Sequence, residues 1–448
     1  LTPACYIPME DESGATSLAS AIPGVTGGGL SGGVILATNT DCAGSKPLPT
    51  LTQYSRIFGP IPPFSAPETW FGQMTIKFDS KPSGDRVLGW INLTGAGSGV
   101  TRLQFRLDIT SLAGSSRIWM DAINSSGTVL ASVDTEPSGF FAFPTDADFY
   151  SVYYSLIFGC QTPSSISGAG NFDIYISIDG IFRAITSMAI DDVPGAMGTP
   201  ISYNFGHNSA ETWSIGHLGF FSTTLTATSG SVFDQGTQHA AAVTGYAGEK
   251  AGNRLLRLGD EENIAVHIIG DPDDTQPCGA QQVDTFLNNC FAAAGADQGI
   301  LYGSRDFFGL EYRTNHSLLW QGGLDLDYSA QHLTRFAVTE TDRYRANLVT
   351  AGRIGGSAGI VEVTEGRLST APPPSGIGEY EEARQWNLFI DSQTIPLAGW
   401  RALLGTWDEL KIKALEVLGH RTEIAGTPAI LAQLMMLDPG DYLGVINP

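Results

Sequence analysis

The sequence predicts a β-rich protein of more than one domain: an N-terminal antiparallel β-sandwich followed by α+β domains. Three observations lead there. Apolar and polar residues alternate in more than eight short runs before residue 222, separated by turn residues. After Gly245 the apolar period lengthens to that of a helix. Glycine (54) and proline (24) are abundant and charged residues are only 16% of the 448, the composition of a chain with many turns.

The opening, CYIPMEDESGATSLASAIPG, reads as a short apolar run, an acidic turn and a small-residue stretch. Residues 23–66 are rich in Gly, Ser, Thr and Pro and read as irregular surface chain holding one strand, Val34–Ala37. Met74, Ile76 and Phe78 then alternate, as do Leu103, Phe105, Leu107 and Ile109, with Ile118–Ile123 and Val129–Val133 behind them. Phe149–Phe158 is nearly continuous apolar sequence, as a strand buried on both faces would be. Phe172, Ile174, Ile176 and Ile178 give the clearest period of two. That run ends in Asp179–Gly180 before Ile181–Ile185, and an Asp-Gly pair favours a type I′ hairpin because both positions need positive φ. Ile201–Phe205 and Ser214–Phe221 complete a set that predicts two sheets packed face to face.

Gly245–Arg313 reads helix–strand–helix–strand–strand. Ala251, Leu255 and Leu258 fall at i, i+4 and i+7. Val283, Phe286, Leu287, Cys290 and Phe291 form a second apolar face, on which Cys290 reads as a small core residue. Ile264–Ile269 and Ile300–Tyr302 follow the helices as strands, and Leu310–Arg313 returns as a hairpin partner across Arg305–Gly309. Leu324, Leu326 and Tyr328 then alternate, and Asn347–Arg353 pairs with Ala358–Val363 over Gly355–Gly356. A Pro/Gly connector (369–380) leads to a helix through Leu397, Trp400, Leu404 and Trp407 and a strand, Leu410–Leu418. A short helix, Pro428–Met436, and strand Tyr442–Ile446 close the chain. The expected domains are 1–227 (sandwich), 228–368 (α+β) and 369–448 (connector and a second α+β/β subdomain, cut short). A start at Leu1 and an end at Asn447–Pro448 read as a segment of a longer protein.

The net charge of −22 is spread over both halves and opposes phosphate backbones, so nucleic acid is disfavoured as a partner. No run of about 18 apolar residues predicts a membrane span. Five cysteines make an odd count without CxxC spacing, and a Cys5–Cys42 disulfide is compatible with the sequence.

The sequence carries few signs of catalysis. Sandwich glycosidases set carboxylates at i, i+2 on one strand face. The nearest string, Glu340–Thr341–Asp342–Arg343–Tyr344–Arg345, ends in Arg and lies outside the sandwich, and Glu10–Asp11–Glu12 reads as a solvated turn. No G-x-S-x-G elbow occurs. His207 and His217 flank the last sandwich strand and read as surface or hydrogen-bonded residues rather than zinc ligands. Asp271–Pro272–Asp273–Asp274 lacks calcium-loop spacing and reads as a loop or helix entry. Gly27–Gly29 and Gly32–Gly33 lack the Lys-Ser/Thr of a phosphate loop and read as a flexible turn. No catalytic, cofactor or metal residue is therefore expected. For stacking on sugar rings, Trp119, Tyr150, Tyr153, Tyr154 and Trp213 are the available aromatics.

Two resemblances extend this reading. DIYISIDGIF resembles the hairpin of laminin-G-like, concanavalin-type jelly rolls, IGHLGFFSTTL their closing strand and YIPMEDESG their opening one. The ordered segments YIPMEDESGATSLASAIPG, GSKPLPTL, GYAGEKAGNRLLRLGDEENI, GILYGSRDFFGLEYRT, NLVTAGRIGGSAG, AGWRALLGTWDE and LDPGDYLGVINP are together similar to minor tail proteins of long-tailed actinobacterial bacteriophages. That resemblance implies a virion protein of the tail tip, with a hub-like α+β region and a projecting sandwich. It implies a homo-oligomer, a trimer above all, with tail-tip and baseplate proteins and host cell-surface glycans as partners. A secreted carbohydrate-binding or glycan-cleaving sandwich protein is the alternative.

Overall fold

The computed structural model describes residues 3–63, 69–94, 99–110, 116–135, 149–161, 171–179, 182–189, 198–206, 212–222, 231–319, 321, 323–339, 344–407 and 411–447. The chain divides into two units, Leu1–Gly245 and Tyr246–Pro448.

The first unit is built of sixteen strands among the described residues. They run β1 (Cys5–Ile7), β2 (Ser17–Leu18), β3 (Gly28–Ser31), β4 (Ile35–Asn39), β5 (Leu48–Leu51), β6 (Arg56–Pro60), β7 (Trp70–Phe78) and β8 (Arg86–Leu93). There follow β9 (Val100–Asp108), β10 (Arg117–Asn124), β11 (Val129–Asp134), β12 (Tyr154–Gln161), β13 (Asn171–Ile178), β14 (Phe182–Ala189), β15 (Pro200–Phe205) and β16 (Trp213–Ser222). Helix α1 (Ser231–Val243) ends the unit. One sheet has the order β14-β13-β12-β7-β16-β5-β4, with β1 also paired to β16; the other runs β11-β10-β9-β8-β15-β6-β3-β2. Every pairing in both sheets is antiparallel. This is the expected two-sheet sandwich.

Alternate residues of each strand turn inward because successive side chains point to opposite faces. Met74, Ile76, Leu156, Phe158, Ile174 and Ile176 from the first sheet meet Ile91, Leu103, Phe105, Leu107, Ile118 and Met120 from the second in one core. The stretches read as opening and closing strands pair with each other, Cys5 opposite Phe220. Ile178 pairs with Phe182, and Asp179 between them has φ 52°, as the hairpin reading required; Gly180 and Ile181 lie outside the described residues.

The expectation of a single strand between residues 23 and 66 is corrected: β3, β4, β5 and β6 lie there. Glycines hid β3. A Cβ on Gly28 would stand 2.2 Å from the Tyr203 hydroxyl, and one on Gly29 would stand 2.8 Å from the Phe58 ring. Gly27–Gly29 is therefore close-packed chain leading into a strand, not a loose turn.

All of β12 is buried, as its sequence suggested. Its inner face enters the core. On the outer face Phe71, Ile157, Tyr175 and Phe221 form a second cluster with Val232 of α1. This helix explains why the sandwich unit extends past the expected boundary at 227. Cys5 and Cys42 are both free thiols, and burial pushes each up to about 11.

The second unit contains α2 (Ala251–Glu262), β17 (Ala265–Ile269), α3 (Phe286–Asp297), β18 (Ile300–Gly303) and β19 (Gly309–Arg313). They form the expected helix–strand–helix–strand–strand order, with β18 and β19 an antiparallel hairpin and β17 parallel to β19. Ala251, Leu255 and Leu258 are buried. So is Arg254, whose guanidinium donates to Glu249 and to the Tyr246 carbonyl, while Arg257 binds the same carboxylate. The apolar face of α3 is reversed from expectation. Cys290 is buried, but Val283, Leu287 and Phe291 are exposed. The covered side is made of Cys290, Ala293 and Ala294, small residues that allow close packing with α2 and Trp386.

The remaining strands are β20 (Leu324–Asp327), β21 (Arg335–Thr339), β22 (Leu348–Arg353), β23 (Ala358–Glu362), β24 (Glu381–Trp386), β25 (Lys411–Glu416) and β26 (Leu443–Ile446). Helix α4 (Asn315–Leu318) precedes them, and α5 (Thr394–Gly405), α6 (Thr422–Ala425) and α7 (Pro428–Met435) fall between the last three. The expected hairpin over Gly355–Gly356 is β22–β23. Three pairings cross the expected boundary at 368/369: β22 with β24, β20 with β26 and β21 with β25. Residues after 368 thus complete sheets begun earlier.

Candidate functional site

The second sheet turns its other face outward, and among the described residues of the unit no helix covers it. On this face the parity of each strand presents Arg56, Phe58 and Pro60 from β6, Ser202 and Asn204 from β15, and Trp90 and Asn92 from β8. Next come Arg102, Gln104, Arg106 and Asp108 from β9, then Arg117, Trp119 and Asp121 from β10. The register sets them side by side: Phe58 opposite Asn204, Asn204 opposite Trp90, Trp90 opposite Gln104, Gln104 opposite Asp121. Paired residues on one face stand close enough to act together.

The face has two halves. Toward β11 it is closed by its own ion pairs. Arg106 Nε donates to Asp121 at 2.9 Å, Arg117 to Asp134 at 3.1 Å, and Trp119 Nε1 to Asp108 at 3.1 Å. The Arg106 guanidinium lies 4.5 Å from the Trp119 ring centroid. Every carboxylate named here has a donor, so none is free for acid–base work.

Toward β2 the face opens into a cleft of about 540 Å³. Its walls are Gly27–Gly29, Phe58, Asn92, Ser202 and Asn204. Phe58 is 42% exposed, a large ring lying in the open. Asn92 Nδ2 donates to Ser202 Oγ at 2.9 Å. Asn204 Oδ1 is covered and has no hydrogen-bond partner among the described residues. Unpaired covered polar atoms are costly to a fold, so their presence beside a cleft marks a place where a ligand could complete them. An exposed ring, two amides and a hydroxyl in one concavity suit a ligand with an apolar flat face and a hydroxylated edge.

Of the five aromatics singled out in the sequence, only Trp119 stands on this face. Trp213 and Tyr154 are in the core, and Trp213 stacks on Phe78. Tyr150 is bound to Ser116, and the Tyr153 hydroxyl is covered next to Lys77. Phe58, Trp90, Asn92 and Asn204 were missed; the signal that could have found Trp90 and Asn92 is the alternation of β8, RVLGWINL.

The other motifs take structural roles. His217 is buried rather than on the surface, and it is hydrogen-bonded as expected. A bulge in β16 puts His217 at φ 50°, where Nδ1 bonds the Tyr6 hydroxyl at 2.8 Å. Its ring faces His239 of α1 at 6.3 Å, and His239 bonds Ser155 Oγ at 2.6 Å. Desolvation pulls both histidines down, His239 to about 3 with help from His217, so both are neutral. Asp271 caps the turn after it through the Asp273 N–H at 2.9 Å, and Asp11 accepts from Ala19 N. Glu340, Asp342 and His207 lie outside the described residues. No group of three metal-ligating side chains occurs among the described residues. No helix among them is long and apolar enough to cross a membrane.

A second cleft, of about 510 Å³, lies in the second unit near Asp297, His316, Gln393 and Trp400. Asp297 is already spent on structure, accepting from Tyr312 OH at 2.6 Å, Gln276 N at 2.9 Å and Asn315 N at 3.0 Å.

No family model matches the chain, and no curated protein matches it. Solved structures do. The botulinum neurotoxin serotype D binding domain is 14% identical over 52% of each chain, with a TM-score of 0.34. The binding domain of Paraclostridial Mosquitocidal Protein 1 is 10% identical over 53% of this chain and 52% of the other, TM-score 0.34. Domain 4 of an extracellular arabinanase from Geobacillus stearothermophilus, in complex with arabinotriose, is 14% identical over 53% of this chain and 98% of its own, TM-score 0.31. The match thus spans about half the length of the toxin-domain chains. At such TM-scores the likeness carries no functional assignment. None of these three is a tail protein, and the tail resemblance rests on the sequence segments alone.

Proposed function

We propose that the protein is a non-catalytic structural component of a phage tail tip. In this reading its laminin-G-like sandwich holds a host cell-wall glycan in the cleft formed by Phe58, Asn92, Ser202 and Asn204. The observation that carries the glycan reading is that cleft. A sugar ring offers a C–H face to Phe58 and hydroxyls to the amides, and it would supply the partner that Asn204 Oδ1 lacks. Cleavage is disfavoured because no carboxylate lines the cleft among the described residues, whereas glycosidases flank the scissile bond with two. Fold alone does not settle function, so the argument rests on the site.

The ordered sequence segments support the tail reading, and the second unit would serve as the hub-like part. There Leu287, Phe291 and Phe308 are exposed, apolar surface that copies of the chain or neighbouring tail proteins would cover in a symmetric assembly, a trimer by the resemblance. Binding of the purified chain to a glycan array, and its loss in Phe58→Ala and Asn204→Ala, tests the glycan part. Labelling the protein in intact virions tests the tail part. A monomer absent from every particle, and turning over wall polysaccharide, would favour a secreted glycan-cleaving protein instead.

A further inference from the structure

Resting on the glycan reading, we propose that the bound sugar carries a carboxylate and that Arg102 holds it. The chain is strongly acidic, so each cation on the open face has to be accounted for. Arg106 is neutralised by Asp121 and Arg117 by Asp134. Arg102 differs. Among the described residues it has no hydrogen bond and no ion pair, and its Nε is covered and unpaired. Its guanidinium lies 5.9 Å from the Trp90 ring centroid. It stands directly opposite Asn92, which is part of the cleft wall.

A partly covered guanidinium with no acceptor is an unfavourable arrangement unless something outside the chain completes it. The ring beside it holds the cation in place without neutralising it. Its planar fork matches a carboxylate, and the match strengthens where water is excluded. One strand spacing, about 4.8 Å, separates Asn92 from Arg102. A ring seated over Phe58 and bonded to Asn204 and Asn92 therefore presents a pendant carboxylate, or that of the next residue, at Arg102. The charge balance selects the anion. The other cation of this face without an ion pair among the described residues, Arg56, stands outside the cleft wall, so the site beside Asn92 presents one guanidinium fork, which suits a carboxylate monoanion. The ligand class is thus an oligosaccharide with a uronic- or sialic-type residue.

The full chain is applied to an array of neutral, carboxylated, phosphorylated and sulfated oligosaccharides. The best carboxylated ligand is then compared with its carboxyl-reduced counterpart by calorimetry. Reduction should weaken binding to the wild type about tenfold or more and have no effect on Arg102→Gln. Asn204→Ala should weaken both ligands equally, and thermal melts confirm that each variant is folded. Preference for neutral, phosphorylated or sulfated sugars over carboxylated ones overturns the carboxylate proposal and leaves the glycan site standing. Silence on all four classes overturns both.

Discussion

The two outer faces of the sandwich have the same parent geometry and opposite fates. On the first sheet Phe71, Ile157, Tyr175 and Phe221 are sealed by α1, and Ser155 and Tyr175 are hydrogen-bonded, to His239 and to the Trp70 carbonyl. On the second sheet the outward residues are amides, hydroxyls, arginines and rings, and two of their covered polar atoms, Arg102 Nε and Asn204 Oδ1, lack partners among the described residues. A sheet can afford an apolar outer face only where something covers it. The difference teaches where to look for ligand: the covered face stabilises, and the open one is the face left available for binding.

The largest break in that comparison should come from Ile157→Ala. It leaves a void beneath α1 and should cost about 2–5 kcal/mol in chemical denaturation. Phe58→Ala on the open face should change stability by less than about 0.5 kcal/mol while weakening glycan binding about tenfold. Equal effects on stability at both positions would dissolve the distinction.

Acid should act on the covered face. The folded His239 is pulled down to about 3, and His217 also downward, both by desolvation. The unfolded chain then binds more protons below the ordinary histidine range, so stability falls as pH drops from about 6.5 toward 3. Asp179, raised by burial to about 6, has the opposite sign and offsets part of the loss between its ordinary value of 3.8 and about 6. The net expectation from pH 7 to 5 is a fall in Tm of the first unit on the order of 2–4 °C, reduced in His239→Gln. A pH-independent melt contradicts it.

The smallest effect extends the comparison to the second unit. Phe308 is 99% exposed, so Phe308→Asp should leave the melting temperature unchanged while shifting mass photometry toward smaller species. Unchanged assembly would remove this surface from the interface.

Legibility in the sequence followed the same divide. Strands with one face in the core and side chains of ordinary size, such as Phe172–Ile178 and Leu103–Leu107, announced themselves by alternation. Of the strands that shape the cleft, β15 was legible as Ile201–Phe205, but β3 was not, because it substitutes glycine where Tyr203 and Phe58 fill the space. In α3 the largest apolar residues drew the eye, yet the packed side is alanine and cysteine, since close helix approach selects small side chains rather than greasy ones. The Arg102–Trp90 pair joins two strands and could only appear once register was known.

The pairing of β1 with β16 has a consequence for how such a protein changes over time. The first and last strands of the sandwich lie side by side, so the sandwich is a closed excursion of the backbone whose two ends meet. Recombination can lift out that excursion and install another without moving the junctions. New surface preferences can thus be acquired wholesale, while the helix-bearing remainder keeps its sequence.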